Sequence, residues 1–149
     1  MRPTQGAPAQ PGAAGSGNRS VPISYQIDRE LALIRTRCRG DVRFAEVVDH
    51  FRELQSDPSL PARLDVLLDL TEMQSIPETD QLQSVAREVA HLKEKLEWGA
   101  CAIVAGSDLL FGMSRIFHAF AESHFANANV FRDLDKAERW LSSQRSPDA

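Results

Sequence analysis

LDVLLDLTEMQSIPETDQLQSVAREVAHLKEKL, Leu64 to Leu96, is the stretch that decides the fold. Its apolar run Val66-Leu67-Leu68 is continuous enough for a strand buried on both faces, and that strand is expected over Leu64 to Leu70. A turn-rich segment follows, carrying Pro77, Glu78, Thr79 and Asp80. Leu82, Val85, Val89, Leu92 and Leu96 then recur at helical spacing, which predicts an amphipathic helix from about Glu78 to Glu97 with Pro77 suited to its first turn. In open α/β sheets, the loop leaving the carboxyl end of a strand is where ligands and partners are met. Function is therefore expected at the connection from Glu72 to Asp80.

The pattern extends in both directions. Upstream, Ile23, Tyr25 and Ile27 alternate with Ser24, Gln26 and Asp28, the period-two signature of a half-buried strand. Asp28-Arg29-Glu30 predicts a tight hairpin into a second strand over Leu31 to Cys38, ended by Gly40. Phe44, Val47, Val48, Phe51 and Leu54 make the apolar stripe of a helix from about Arg43 to Gln55, broken by Asp57-Pro58-Ser59 and Pro61. Downstream, Ala100 to Ala105 is a fourth, central strand. Ser107 is the expected N-cap of a helix running through Glu122, lined by Leu109, Met113, Ile116 and Phe120 and widened by Leu110, Phe117 and Ala121. Asn129 to Arg132 is a fifth strand, and Leu134 to Ser142 a final helix anchored by Ala137, Trp140 and Leu141. Strands alternating with helices imply parallel pairing through right-handed crossovers. The expected fold is α/β: a mixed, mostly parallel five-stranded sheet covered by four helices, in the order β-β-α-β-α-β-α-β-α. One domain is expected over 21–143, with a low-complexity disordered tail over 1–20 and a disordered C-terminal tail over 144–149.

Composition narrows the function. Among 149 residues, apolar types make up 42% and charged types 26%, with a net charge of −4. That mild acidity gives no basic footprint for nucleic acid. No apolar run approaches the roughly 20 residues that span a bilayer, and the N-terminus lacks the apolar core of a secretory signal, so cytoplasmic residence is expected. Cys38 and Cys101 stand in apolar strand runs without CxxC spacing, which suits two buried reduced thiols.

LLDLTEM after the third strand, CAIVAGSDLLFGMSRIF, and VFRDLDKAERWL near the end resemble the STAS-like fold of anti-sigma factor antagonists and sulfate-transporter domains. The chain resembles more closely the uncharacterised bacterial STAS/SEC14-type branch, with element order shared from Ile23 to Leu141. The resemblance implies a non-catalytic regulatory module whose partner is an anti-sigma factor or a kinase. In those antagonists an Asp-Ser-Ser-Gly motif opens the helix after the third strand, and its second serine is phosphorylated. Here Pro77, Glu78, Thr79 and Asp80 occupy those positions, which leaves Thr79 as the candidate phosphoacceptor. A phosphate there would add about −1.5 to −2 charges beside Glu78 and Asp80. Two readings of the acidic pair follow: fixed negative charge where relatives add it reversibly, or simple capping of the helix by Ser75 through Asp80. The candidate interaction loop is Glu72, Ser75, Glu78, Thr79 and Asp80.

Other residues carry groups capable of chemistry. Asp69, Thr71, Glu72, Ser107, Asp108 and Asp133 fall near carboxyl ends of strands, where an acidic rim could hold Mg²⁺. The receiver-domain pattern that uses such a rim also needs an acidic pair after the first strand and a lysine after the last, and neither is present. His50, His91, His118 and His124 lack metal-ligand spacing. No nucleophile elbow, dinucleotide loop or Walker sequence occurs, so neither cofactor nor catalytic residue is assigned. Gly106-Ser107-Asp108 suits an N-cap better than an anion site. Arg35, Arg37 and Arg39 form a basic stripe that is either solvated or met by an acidic partner. Phe111, Phe117, Phe120 and Phe125 give the third helix a wide apolar band. That band suits the core, a homodimer interface, or the wall of a lipid-sized pocket between this helix and the sheet, and the pocket makes a small-molecule or lipid carrier the alternative function.

Overall fold

A computed structural model describes residues 21–145; the expected N-terminal tail and residues 146–149 lie outside the described residues. The elements are β1 (Ile23–Asp28), β2 (Leu33–Gly40), α1 (Phe44–Gln55), β3 (Arg63–Met73), α2 (Thr79–Leu92), β4 (Glu97–Ala105), α3 (Asp108–Ala121), β5 (Asn127–Phe131) and α4 (Leu134–Arg145). The five strands lie in chain order, β1-β2-β3-β4-β5. β1 pairs antiparallel with β2, and every other pair is parallel. This is the expected mixed sheet with its hairpin at one edge.

Alternation along each strand divides the core in two. Ile34, Cys38, Leu70, Cys101 and Ile103 point to the inner face, which α1, α2 and α3 cover. Leu33, Leu67, Ala100, Ala102 and Val104 point to the outer face, where they meet Ala137 and Leu141 of α4. Small side chains on β4 let α4 seat closely. From Trp98 to Ala105 every residue of β4 is buried, as a central parallel strand requires.

Several boundaries differ from expectation, each through a long-range contact. β2 starts at Leu33 rather than Leu31, because Ala32 takes a left-handed φ of 52° and its carbonyl accepts from Asp65 N at 2.8 Å. β3 continues through Thr71 and Glu72 to Met73, since Glu72 and Met73 pair with Arg39 and Gly40 of β2. α2 ends at Leu92 rather than Glu97: the chain turns over Lys93 to Lys95 so that Glu97 can pair with Arg63 and open β4. β4 therefore starts three residues before the expected Ala100. β5 lies at Asn127–Phe131 rather than 129–132. α4 runs past Ser142, so Gln144 and Arg145 are helical, with Gln144 Oε1 accepting from Asn127 Nδ2 at 3.1 Å.

α3 departs in rotation rather than length. Leu110, Ser114, Phe117 and Ala121 are its buried line, whereas Leu109 is 60% exposed and Ile116 39%. Ser107 caps the helix as expected, its Oγ accepting from Leu110 N at 3.1 Å. With so many apolar residues around the helix, periodicity alone does not choose a face. Small Ser114 and Ala121 favour the face that approaches the sheet.

Candidate functional site

The connection from β3 to α2 is built by pairing and capping. Gln74 N donates to Gly40 O at 2.8 Å, which holds the strand exit against the end of β2. Ser75 Oγ accepts from Val42 N at 2.9 Å and donates to Val42 O at 3.1 Å, so this hydroxyl fastens the β3–α2 loop to the β2–α1 loop. Glu78 is the N-cap of α2, and its N–H donates to Gln81 Oε1 at 2.9 Å. Thr79 and Asp80 form the exposed first turn.

The five expected interaction residues thus separate. Glu72 is in β3, ion-paired to Arg39 at 3.1 Å, and Ser75 is occupied internally. Glu78, Thr79 and Asp80 stand exposed together, and Thr79 Oγ1 has no hydrogen-bond partner among the described residues.

Behind this loop lies a half-open groove of about 430 Å³. Its floor is the inner face of the sheet, including Ile34, Thr36, Val66, Leu68 and Ile103. Phe44, Val47 and His50 of α1 form one wall, Leu82 and Val85 of α2 the other, and Met113 and Phe117 of α3 contribute at depth. Ile76, Pro77 and Gln81 belong to its lip, as do Val42 and Arg43. The groove takes in the expected pocket between α3 and the sheet and extends beneath α1 and α2. Of the apolar stripe on α1, only Phe51 and Leu54 are buried, both in its last turns; Phe44, Val47 and Val48 are half-buried. α2 packs mainly on α3 and lightly on α1, which leaves a gap under the first half of α1.

Three ionisable groups of the groove wall, His50, Cys38 and Cys101, are held uncharged. Burial lowers His50 to about 4, with its ring edge-on to Tyr25 and Phe51 at 5.3 Å each. Burial pushes the thiols of Cys38 and Cys101 up to about 12, with Asp69 adding to the shift at Cys38. Thiolates are the reactive form, so both cysteines act as apolar wall. Tyr25 sits higher than an ordinary phenol because it is buried and donates to Asp57 Oδ2 at 2.7 Å. Burial works against ionised Asp57, but hydrogen bonds from Ser59 and Tyr25 outweigh it and lower its pKa.

The acidic rim disperses. Asp69 pairs with Arg37 at 3.5 Å and accepts from Thr71 Oγ1 at 2.7 Å. Asp108 pairs with Arg132 at 2.9 Å, while Asp133 Oδ1 caps α4 by accepting from Asp135 N at 2.8 Å. Among the described residues no cluster of His, Cys, Asp or Glu could hold a metal. His118 bonds to Ala128 O at 2.9 Å, and His124 lies 3.4 Å from Lys93 Nζ. The basic stripe is matched within the molecule: Arg35 pairs with Glu138 at 3.3 Å, in line with the Arg37 and Arg39 pairs.

One polar residue escaped the sequence reading. Asp65, 2% exposed at the start of β3, accepts from Ala100 N at 2.9 Å across an irregularity in the β3–β4 register. Arg63 and Arg145 lie 3.2 and 3.7 Å from its carboxylate. Gly99 makes room, since a Cβ there would overlap Asp65 Oδ1. An aspartate in an otherwise apolar run, with glycine at the facing strand, is the sequence trace of such a site.

Among solved structures, the chain is similar to an uncharacterized protein of the DUF3478 family from Shewanella loihica PV-4, described as having a SpoIIAA-like fold. The TM-score is 0.55 at 19% identity, over 85% of this chain and 99% of that one, a likeness of fold alone. No curated protein matches. Among the described residues no helix is long and apolar enough to cross a membrane. Residues 33–142, from β2 into α4, match the SpoIIAA-like family, and the chain belongs to that family.

Proposed function

We propose that this SpoIIAA-like domain is a non-catalytic cytoplasmic carrier or sensor of a small apolar molecule, bound in the groove between the sheet and α1, α2 and α3. The observation that supports it is the groove itself: about 430 Å³ in volume, walled by aliphatic and aromatic side chains, with few polar groups. Ligand sites are typically clefts of roughly 300–1,000 Å³ with mainly hydrophobic lining and few polar groups. Native mass spectrometry of protein purified without detergent tests the reading. A discrete added mass that dissociates on activation is expected, or saturable uptake of an apolar probe by the empty protein; neither occurring would overturn it.

The exposed first turn of α2 favours a second reading. Glu78, Thr79 and Asp80 are open to solvent beside the groove lip, where antagonist-type relatives meet an anti-sigma factor or kinase. The two readings are compatible, because Ile76 and Pro77 belong both to this loop and to the lip. Substituting Glu78 and Asp80 by Ser and Gly tests the second: weakened partner capture is expected, and unchanged capture would reject it.

A further inference from the structure

We propose that the groove selects a single-chain amphiphile with an anionic head, a long-chain carboxylate, and that Arg43 recognises the head group. This rests on the reading of the groove as a carrier site. Among the described residues lining the groove, Arg43 alone carries a charge at neutral pH; His50, the other ionisable base, is held neutral.

Arg43 lies at the lip rather than the floor. It is the exposed N-cap of α1, and its backbone N–H donates to Glu46 Oε1 at 2.7 Å. The preceding residue, Val42, is fastened on both backbone atoms by Ser75, so the stem of this side chain starts from a fixed point. Its guanidinium has no ion-pair partner among the described residues. The arginines of the outer sheet face differ, for Arg35, Arg37 and Arg39 each have a carboxylate of their own. The neighbouring acids Glu46, Glu78 and Asp80 are not part of the groove wall.

These features constrain an occupant. Val47, Val66, Leu68, Val85 and Met113 present a continuous apolar wall, which suits an alkyl chain and offers no partner for polar groups along it. A volume of about 430 Å³ stands near the small end of the roughly 300–1,000 Å³ range of ligand sites, enough for one chain rather than two. A guanidinium at the mouth of such a groove matches a carboxylate, with which it can form paired charge-assisted hydrogen bonds.

Displacement of a bound neutral fluorophore by myristate and by its alcohol, both below their micellar concentrations, tests the assignment on the full chain. Wild-type protein should prefer the carboxylate by about fivefold, the equivalent of about 1 kcal/mol for an exposed ion pair. The preference should shrink with added salt. Arg43→Gln should abolish it while leaving the alcohol's affinity unchanged, and Arg43→Lys should restore part of it. Equal binding of both ligands by wild type, or a preference that survives in Arg43→Gln, would overturn the role of Arg43 and leave the carrier reading standing. Failure of both ligands to bind would overturn the two together.

Discussion

The two faces of the sheet solve the burial problem differently. On the outer face a single helix, α4, lies on small residues of β4, and Leu33, Leu67, Val104, Ala137 and Leu141 close together with little exposure. Around this contact, Arg35 pairs with Glu138 of α4, while Arg37 and Arg39 pair with Asp69 and Glu72 of β3. On the inner face three helices share a much larger apolar surface, and α1 buries only Phe51 and Leu54 of its stripe, with Val47 partly covered. Close packing approaches crystal density in ordinary cores, so a face that keeps an open groove forgoes contacts it could have made. The outer face is closed, and the inner face, although it holds the larger core, has room for a ligand.

Substitutions that remove volume should expose this difference most strongly. Leu141→Ala on the outer face, at a residue 1% exposed, should cost about 2–5 kcal/mol in denaturant unfolding, the range for leucine truncation in packed cores. Val85→Ala, at a half-buried groove wall, should cost about 1 kcal/mol or less, because its methyls already face a gap. Equal losses would break the comparison.

Acid should act on the inner face. His50 has a pKa of about 4 in the folded chain against an ordinary value near 6.5. Above 6.5 it contributes nothing. As pH falls below 6.5 the unfolded chain takes up a proton that the folded chain refuses, so stability should decline toward pH 4 by up to about 3 kcal/mol. His50→Leu should remove that slope in pH-dependent unfolding. Asp57 is depressed, so the stability it provides above its ordinary value of 3.8 is lost only below it, outside this window.

The smallest effect belongs to the ion-pair ladder. Arg37 is 45% exposed and Asp69 11%, and Asp69 retains its hydrogen bonds from Thr71. Solvent screening should therefore hold the cost of Arg37→Gln below about 1 kcal/mol, and 1 M salt should erase most of it, as thermal melts at two ionic strengths would show.

Local patterning made the architecture legible. The alternation of Ile23, Tyr25 and Ile27, the run Val66-Leu67-Leu68 and the stripe of α2 are short-range signals, and each specifies its element without help from the rest of the chain. What escaped depended on partners distant in sequence. The basic stripe on β2 has no visible partner until Asp69, Glu72 and Glu138 are placed beside it. Thr71 and Glu72 are too polar to announce a strand, yet β2 extends β3 through them. Asp65 requires Gly99, Ala100 and Arg145, between 34 and 80 residues away in the chain. In the candidate loop, Glu78, Thr79 and Asp80 stand exposed at the start of the helix, about where the sequence placed it, whereas the hydroxyl of Ser75 is committed to Val42. The groove's extension over α1 and α2 follows from helix splay, which periodicity does not encode; the wide apolar band of α3 points to only one of the three helices that line it.

The most direct test is a titration of a neutral solvatochromic dye such as Nile red into wild type and Val85→Phe, with unfolding followed in parallel. Blue-shifted, saturable, one-to-one binding by wild type is expected. In Val85→Phe, whose ring would fill the groove, binding should be lost while stability is kept or raised. Undiminished binding by the filled variant, or none by wild type, would contradict the account.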